Sequence, residues 1–321
     1  MSVAIERCSS CNSMVDIEDL FCPTCGREVP EPIGRALSRM PLGVKNFECR
    51  NCGATMSYDA GARDLKCPFC ASVDLVDDGT KGILAPDCVL PFALDVGDAE
   101  KRLRDWLGSS VWHPGDLKSG AQIFELRRVY VPFWVVSTDY STRWTADTSD
   151  VAPGSRASWA PIRGNQAGHY DDLWVPASEA VPLDELDSIG PFDLESALPP
   201  DKADLEHATI EQFARTRRQA RPLVQRRVED LETWASAKRV PGQARNVRVN
   251  VVLSGTTSRA ALAPVYILAY RYRKASYRFL VNGQTGRSAG TSPVSAPRIA
   301  AAVLAVIVIV VLLIWAASQS S

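Results

Sequence analysis

The 321-residue sequence predicts two small N-terminal four-cysteine ribbons, a central α+β domain with a mainly antiparallel sheet, and one C-terminal transmembrane helix. Three observations carry that expectation. Eight of the nine cysteines form four Cys-x2-Cys pairs; the middle of the chain holds stretches with strand-like alternation; and residues 299–317 run for 19 positions without a charge. The expected organisation is a first ribbon at 1–29, a linker at 30–45, a second ribbon at 46–78, an α+β domain at 86–296 and a membrane-crossing helix at 299–317.

The cysteine pairs are Cys8/Cys11, Cys22/Cys25, Cys49/Cys52 and Cys67/Cys70. Each pair places two thiolates on one tight turn, and two turns facing each other across a short hairpin supply four tetrahedral ligands of the kind zinc prefers. Spacers of ten and fourteen residues fit such a hairpin. Gly26 and Gly53 directly follow a pair, where positive φ lets backbone amides point at the sulfurs. In a reducing compartment disulfides are disfavoured, and a lone redox Cys-x-x-Cys does not explain four pairs. Iron in a rubredoxin-like site uses the same four thiolates; two structural zinc ions are the expectation because ribbons usually hold zinc. A site filled by four sulfurs has no open position for a water nucleophile, which argues against zinc hydrolase chemistry. Cys88 is left over and reads as a small buried apolar residue.

Pro30, Pro32 and Pro41 with Gly34 and Gly43 break up the stretch between the ribbons. Beyond the second ribbon, residues 98–107 put Ala99, Leu103, Trp106 and Leu107 on one helical stripe, the pattern of an amphipathic helix packed on a sheet. Residues 121–145 are rich in strand formers, with Pro132 drawing their start toward an edge or bulge, and 169–176 form a second strand candidate. Residues 201–239 read as a long charged helical region opened by Pro199-Pro200-Asp201 and kinked at Pro222. Val247–Leu253, Val265–Tyr272 and Tyr277–Val281 alternate as strands, and Asn282-Gly-Gln-Thr-Gly286 is a turn.

Residues 299–317 carry no hydrogen-bonding side chain except the indole of Trp315, and as a helix would measure roughly 28 Å against a hydrocarbon core of about 30 Å. Arg287 and Arg298 before the run, with no cation after it, orient residues 1–298 to the cytoplasm by the positive-inside rule. The expected location is therefore the cell membrane, single-pass, with the bulk of the chain cytoplasmic. The N-terminus lacks the apolar region of a secretory signal.

The formal net charge is −1, so no global charge favours nucleic acid. Its distribution is uneven. Residues 141–200 hold ten acids against three arginines, whereas 241–298 hold eight arginines, Lys274 and no acid. Arg271, Arg273, Lys274 and Arg278 are expected outward, against anionic lipid. No Gly-Lys-Ser/Thr phosphate loop occurs, which excludes a P-loop motor. His113, His169 and His207 lie far apart without a catalytic motif, and the sequence offers no catalytic or cofactor-binding residue beyond the metal ligands.

Cys49-Arg-Asn-Cys-Gly through Cys67-Pro-Phe-Cys, Tyr130-Val-Pro-Phe-Trp, Pro264-Val-Tyr-Ile-Leu-Ala-Tyr-Arg-Tyr and Val281-Asn-Gly-Gln-Thr-Gly-Arg, with the terminal apolar run, resemble a bacterial family of zinc-ribbon membrane proteins. The likeness covers most of residues 46–317. Members are often labelled transcription-factor-type zinc-ribbon or primosomal-helicase-like, labels that the ribbon explains without a motor motif. The resemblance implies proximity to flotillin-like and phage-shock membrane proteins. The expected function is thus a non-enzymatic, membrane-anchored adaptor that docks protein partners at the lipid bilayer. The alternative is a nucleic-acid-binding zinc-ribbon protein tethered to the membrane, and a third reading is an enzyme whose composite site is assembled by folding.

Overall fold

The computed structural model describes residues 6–8, 10–11, 14–15, 27, 44–59, 65–77 and 86–319, apart from 111–112, 121, 124–125, 206–207 and 274. In chain order the elements are β1 (Glu6–Arg7), β2 (Met14–Val15), β3 (Val44–Cys49), β4 (Thr55–Asp59), β5 (Leu75–Asp77) and β6 (Cys88–Val89), then α1 (Val96–Ser109), α2 (Leu117–Gly120) and β7 (Gln122–Ile123). The long strands β8 (Arg127–Thr148) and β9 (Ala160–Pro176) follow, then α3 (Leu183–Ile189), β10 (Thr209–Glu211) and α4 (Arg217–Arg239). Last come β11 (Ala244–Tyr272), β12 (Ala275–Asn282), β13 (Ser288–Gly290) and α5 (Ala296–Gln319).

One mixed sheet organises the chain, in the order β13-β12-β11-β8-β10-β4-β3-β5, with β6 and β7 on β11 and β9 on β8. Its pairs are antiparallel except β10 with β8 and β6 with β11. The period of two sorts β8 into two faces. Val129, Val131 and Phe133 meet Val265, Ile267 and Leu280 on one side, whereas Trp134 and Val136 lie under Val224 and Val228 of α4 on the other. The α1 stripe of Ala99, Leu103 and Leu107 is buried on Tyr266, Tyr270 and Phe279 as the sequence leads one to expect, and Asp95 caps the helix by accepting from the Asp98 N–H at 2.8 Å.

Pro132 sits inside a central strand, and the register explains why it is tolerated. On one flank of β8, β10 pairs as far as Tyr130 and β9 begins at Phe133, so the proline falls where one neighbour hands over to the next. The expected strands at 247–253 and 265–272 are one strand. β11 runs for 29 residues because bulges after Arg245 and Ser254, with Asn246 and Gly255 at positive φ, bend it without ending it. The helical region expected over 201–239 is shorter. β10 occupies part of it, and α4 begins only at Arg217, after the N-cap Thr216, whose hydroxyl and Gln219 form a reciprocal capping box.

The transmembrane helix expected at 299–317 is corrected. Among the described residues, no helix is long and apolar enough to cross a membrane. The segment is helical, as α5, and its large apolar side chains described from Ile299 to Leu312 are exposed.

The outward cluster expected at Arg271, Arg273, Lys274 and Arg278 holds in part: Arg271 and Arg273 are exposed, whereas Arg278 is turned into the fold. Arg278 is half-buried, pairs with Glu185 at 3.1 Å and donates to the Ala180 carbonyl at 2.7 Å, while Arg273 pairs with Asp116 at 3.2 Å. Lys274 lies outside the described residues.

Candidate metal centre

The second ribbon is two similar turns brought together by β3, β4 and β5. In the first turn the Gly53 N–H bonds back to the Cys49 carbonyl at 2.7 Å; in the second the Ala71 N–H bonds to the Cys67 carbonyl at 2.8 Å. Each turn is closed by one more backbone bond, Cys49 N–H to Ala54 O and Cys67 N–H to Ser72 O, both 2.9 Å. The residue after each pair has positive φ, +72° at Gly53 and +60° at Ala71. Glycine takes that conformation freely, and alanine only at a cost. The Tyr58 hydroxyl donates to the Lys66 carbonyl at 2.6 Å and so fixes the approach to the second turn.

The sulfurs of Cys49, Cys52, Cys67 and Cys70 all lie within 4.8 Å of one another, with Cys49 to Cys70 at 3.6 Å and Cys52 to Cys67 at 3.5 Å. A tetrahedron with metal–sulfur bonds of about 2.3 Å has sulfurs roughly 3.8 Å apart, so this donor set fits a tetrathiolate metal. The four thiols perturb one another strongly. The hydrogen bond with Cys67 lowers the Cys52 thiol, but the one with Cys70 and burial outweigh it and push Cys52 up to about 12. Hydrogen bonds from Cys52 and Cys70, with burial, raise Cys67, while hydrogen bonds from Cys52 and Cys67 hold Cys70 low. Sulfurs this close do not all ionise by themselves; a divalent cation is what allows four thiolates to coexist.

Two of the ligands are also core residues. Cys49 and Cys67 are buried with Met56, Phe69, Val131 and Ile189 in one cluster that spans ribbon and domain. The link is β10, where Ile210 pairs with Ser57 of β4 on one side and with Tyr130 of β8 on the other.

Of the other expected ligands, Cys8 is buried and its sulfur accepts from the Ser10 N–H at 3.4 Å, beside the small β1–β2 ladder; Cys11 is exposed. Cys22 and Cys25 lie outside the described residues, so among those residues one four-cysteine cluster is present where two were expected. Cys88 is buried with Val135 and Ala261, and burial raises its thiol. His113 is a core histidine with Nδ1 3.3 Å from the Leu107 carbonyl, against Trp106. His169 is exposed and clamped between Asp139 at 2.7 Å and Asp171 at 3.1 Å, and these hydrogen bonds, Asp139 foremost, raise it above the usual imidazole range. His207 lies outside the described residues. The residue that sequence reasoning missed is Ala71; its position, one after the second cysteine of a pair as Gly53 is, was the available signal.

No family model and no solved structure matches the chain. It is similar to a protein of Bacillus subtilis (strain 168) named "Uncharacterized protein YdjG", 24% identical over 222 residues, which are 66% of this chain. The match spans 65% of the length of that relative.

Proposed function

We propose that the chain is a non-enzymatic zinc-ribbon adaptor that docks protein partners at the inner face of the cell membrane, with its bulk in the cytoplasm. The observation that carries this reading is the closed four-sulfur cluster at the end of a sheet. Its donors fill every tetrahedral position, so the metal holds a shape and leaves no place for substrate. The metal is zinc, and a second ion is bound by Cys8, Cys11, Cys22 and Cys25. Around the cluster the ribbon offers exposed surface, including Val73, for a partner to cover. At the other end of the chain α5 exposes an apolar surface that lipid or a partner covers. The resemblance to membrane zinc-ribbon proteins suggests partners of the flotillin-like and phage-shock type.

The test is affinity purification of the full chain from detergent extracts, with and without nuclease. Partners that survive nuclease and are lost in Cys67→Ser support the adaptor. Partners released by nuclease favour the nucleic-acid reading instead.

A further inference from the structure

The long strands β8, β9 and β11 extend as a three-stranded ribbon, and its two faces differ. One face is packed: Trp144 and Ala146 of β8 lie with Val240 at the end of α4. The other face is open, and cross-strand register composes it. Thr145 of β8 pairs with Arg163 of β9 on one side and Arg248 of β11 on the other. Two residues along, Arg143 pairs with Asn165 and Asn250. Because side chains alternate along a strand, all six share one face. Together with Trp144, Gly164 and Val249 between them, they line a groove of about 600 Å³, a size usual for small-molecule sites.

None of the three guanidiniums forms an ion pair or a hydrogen bond among the described residues. The nearest acids of the same face are already engaged: Asp147 accepts from Asn246 at 2.8 Å and Arg245 at 3.3 Å, and Asp139 accepts from His169. The face therefore keeps three positive charges that nothing among the described residues pairs with. Like charges crowded on one sheet face disfavour the fold, and an anionic ligand relieves the repulsion. Arg163 and Arg248 stand two strand spacings apart, roughly 10 Å, with Arg143 set about 7 Å along the strands. Such a triangle suits several phosphoryl groups better than one, and arginine forks match phosphate oxygens two at a time. The Thr and Asn side chains add neutral donors. The one aromatic residue at the groove, Trp144, is buried and belongs to the packed side of β8, so no open ring is offered for base stacking, which disfavours single-stranded nucleic acid.

We propose that Arg143, Arg163 and Arg248 form a binding site for an anion bearing two or more phosphoryl groups, free or as a phospholipid headgroup.

The full chain, kept in a non-ionic detergent that covers α5, is titrated with inorganic tripolyphosphate, and separately with micelles doped with cardiolipin or with phosphatidylcholine. Saturable, salt-sensitive binding of tripolyphosphate identifies a free ligand; selective binding of cardiolipin micelles identifies a headgroup. In either arm the triple variant Arg143→Gln/Arg163→Gln/Arg248→Gln should weaken binding by about tenfold or more, the worth of one charge-assisted contact. A variant of equal charge, Arg218→Gln/Arg221→Gln/Arg226→Gln on α4, should bind as the wild type does. If the triple variant does not fold, Arg163→Gln alone, on the outermost strand, should weaken binding in the same direction, and tripolyphosphate or cardiolipin should raise its Tm less than that of the wild type. The proposal is overturned if neither ligand binds, if both triple variants bind alike, or if single-stranded DNA binds this face more tightly than tripolyphosphate and cardiolipin.

Discussion

The Ser178 hydroxyl donates a 2.5 Å hydrogen bond to Oε1 of Glu211, and both side chains are enclosed by the protein. Burial is the main cause that pushes the Glu211 carboxyl up to about 8, against the lowering effects of the Ser178 hydrogen bond and of Arg278 and Arg215. The sign follows from linkage. Between the ordinary carboxyl value of 4.5 and about 8, the folded protein holds a proton that the unfolded chain has released. Stability is therefore fully present below the lower value and is lost as pH rises through the higher one. Urea unfolding across this window should show midpoints falling with pH, and Glu211→Gln should flatten that slope. An equal slope in the variant would remove Glu211 as its source.

Ala71 carries the backbone conformation that Gly53 adopts in the partner turn, without the freedom of glycine. Ala71→Gly should relieve that strain by about 1 kcal/mol and tighten retention of the metal. Competition with a chromogenic chelator measures it; faster metal loss in the variant would contradict the account.

Because Cys49 and Cys67 share a core with Val131 and Ile189, the metal should stabilise more than the ribbon. Chelation, or Cys67→Ser, is expected to lower the unfolding midpoint followed at the fully buried Trp134 of β8, which lies outside the ribbon. A Trp134 transition indifferent to metal would separate the two units.

Asn282 uses its whole amide: Nδ2 donates to the Ile189 and Pro191 carbonyls at 3.0 and 3.1 Å, and Oδ1 accepts from the Gln284 and Thr285 N–H groups at 2.9 and 3.1 Å. Asn282→Ala strands these backbone groups and should cost about 2 to 4 kcal/mol, read as a shift in the denaturation midpoint at constant slope.

What was legible in the chain was local. The Cys-x2-Cys pairs marked the turns, the 3.6-residue stripe of Ala99, Leu103 and Leu107 marked α1, and Asn282-Gly283 marked the turn before β13. What was hidden depends on register between distant strands. Arg143, Arg163 and Arg248 come from stretches of opposite charge balance and share a face only because Thr145 pairs with two of them. β10 was absorbed into an expected helix because three residues carry no periodicity, although they join the ribbon to the domain. The terminal apolar run is helical, as its composition predicts, but among the described residues no helix is long and apolar enough to cross a membrane.

The placement of Ile210 between Ser57 and Tyr130 has a consequence for how the ribbon is presented. A ribbon on a flexible tether samples many orientations and is captured by whichever partner meets it. Here the cysteine turns are continued by main-chain hydrogen bonds into the same sheet as β8 and β11, so they project at a set angle, like a beak on a skull. A partner gripping Val73 and its surroundings would have its position fixed relative to the whole sheet, and could reach a second foothold on the domain without an ordering cost for the joint.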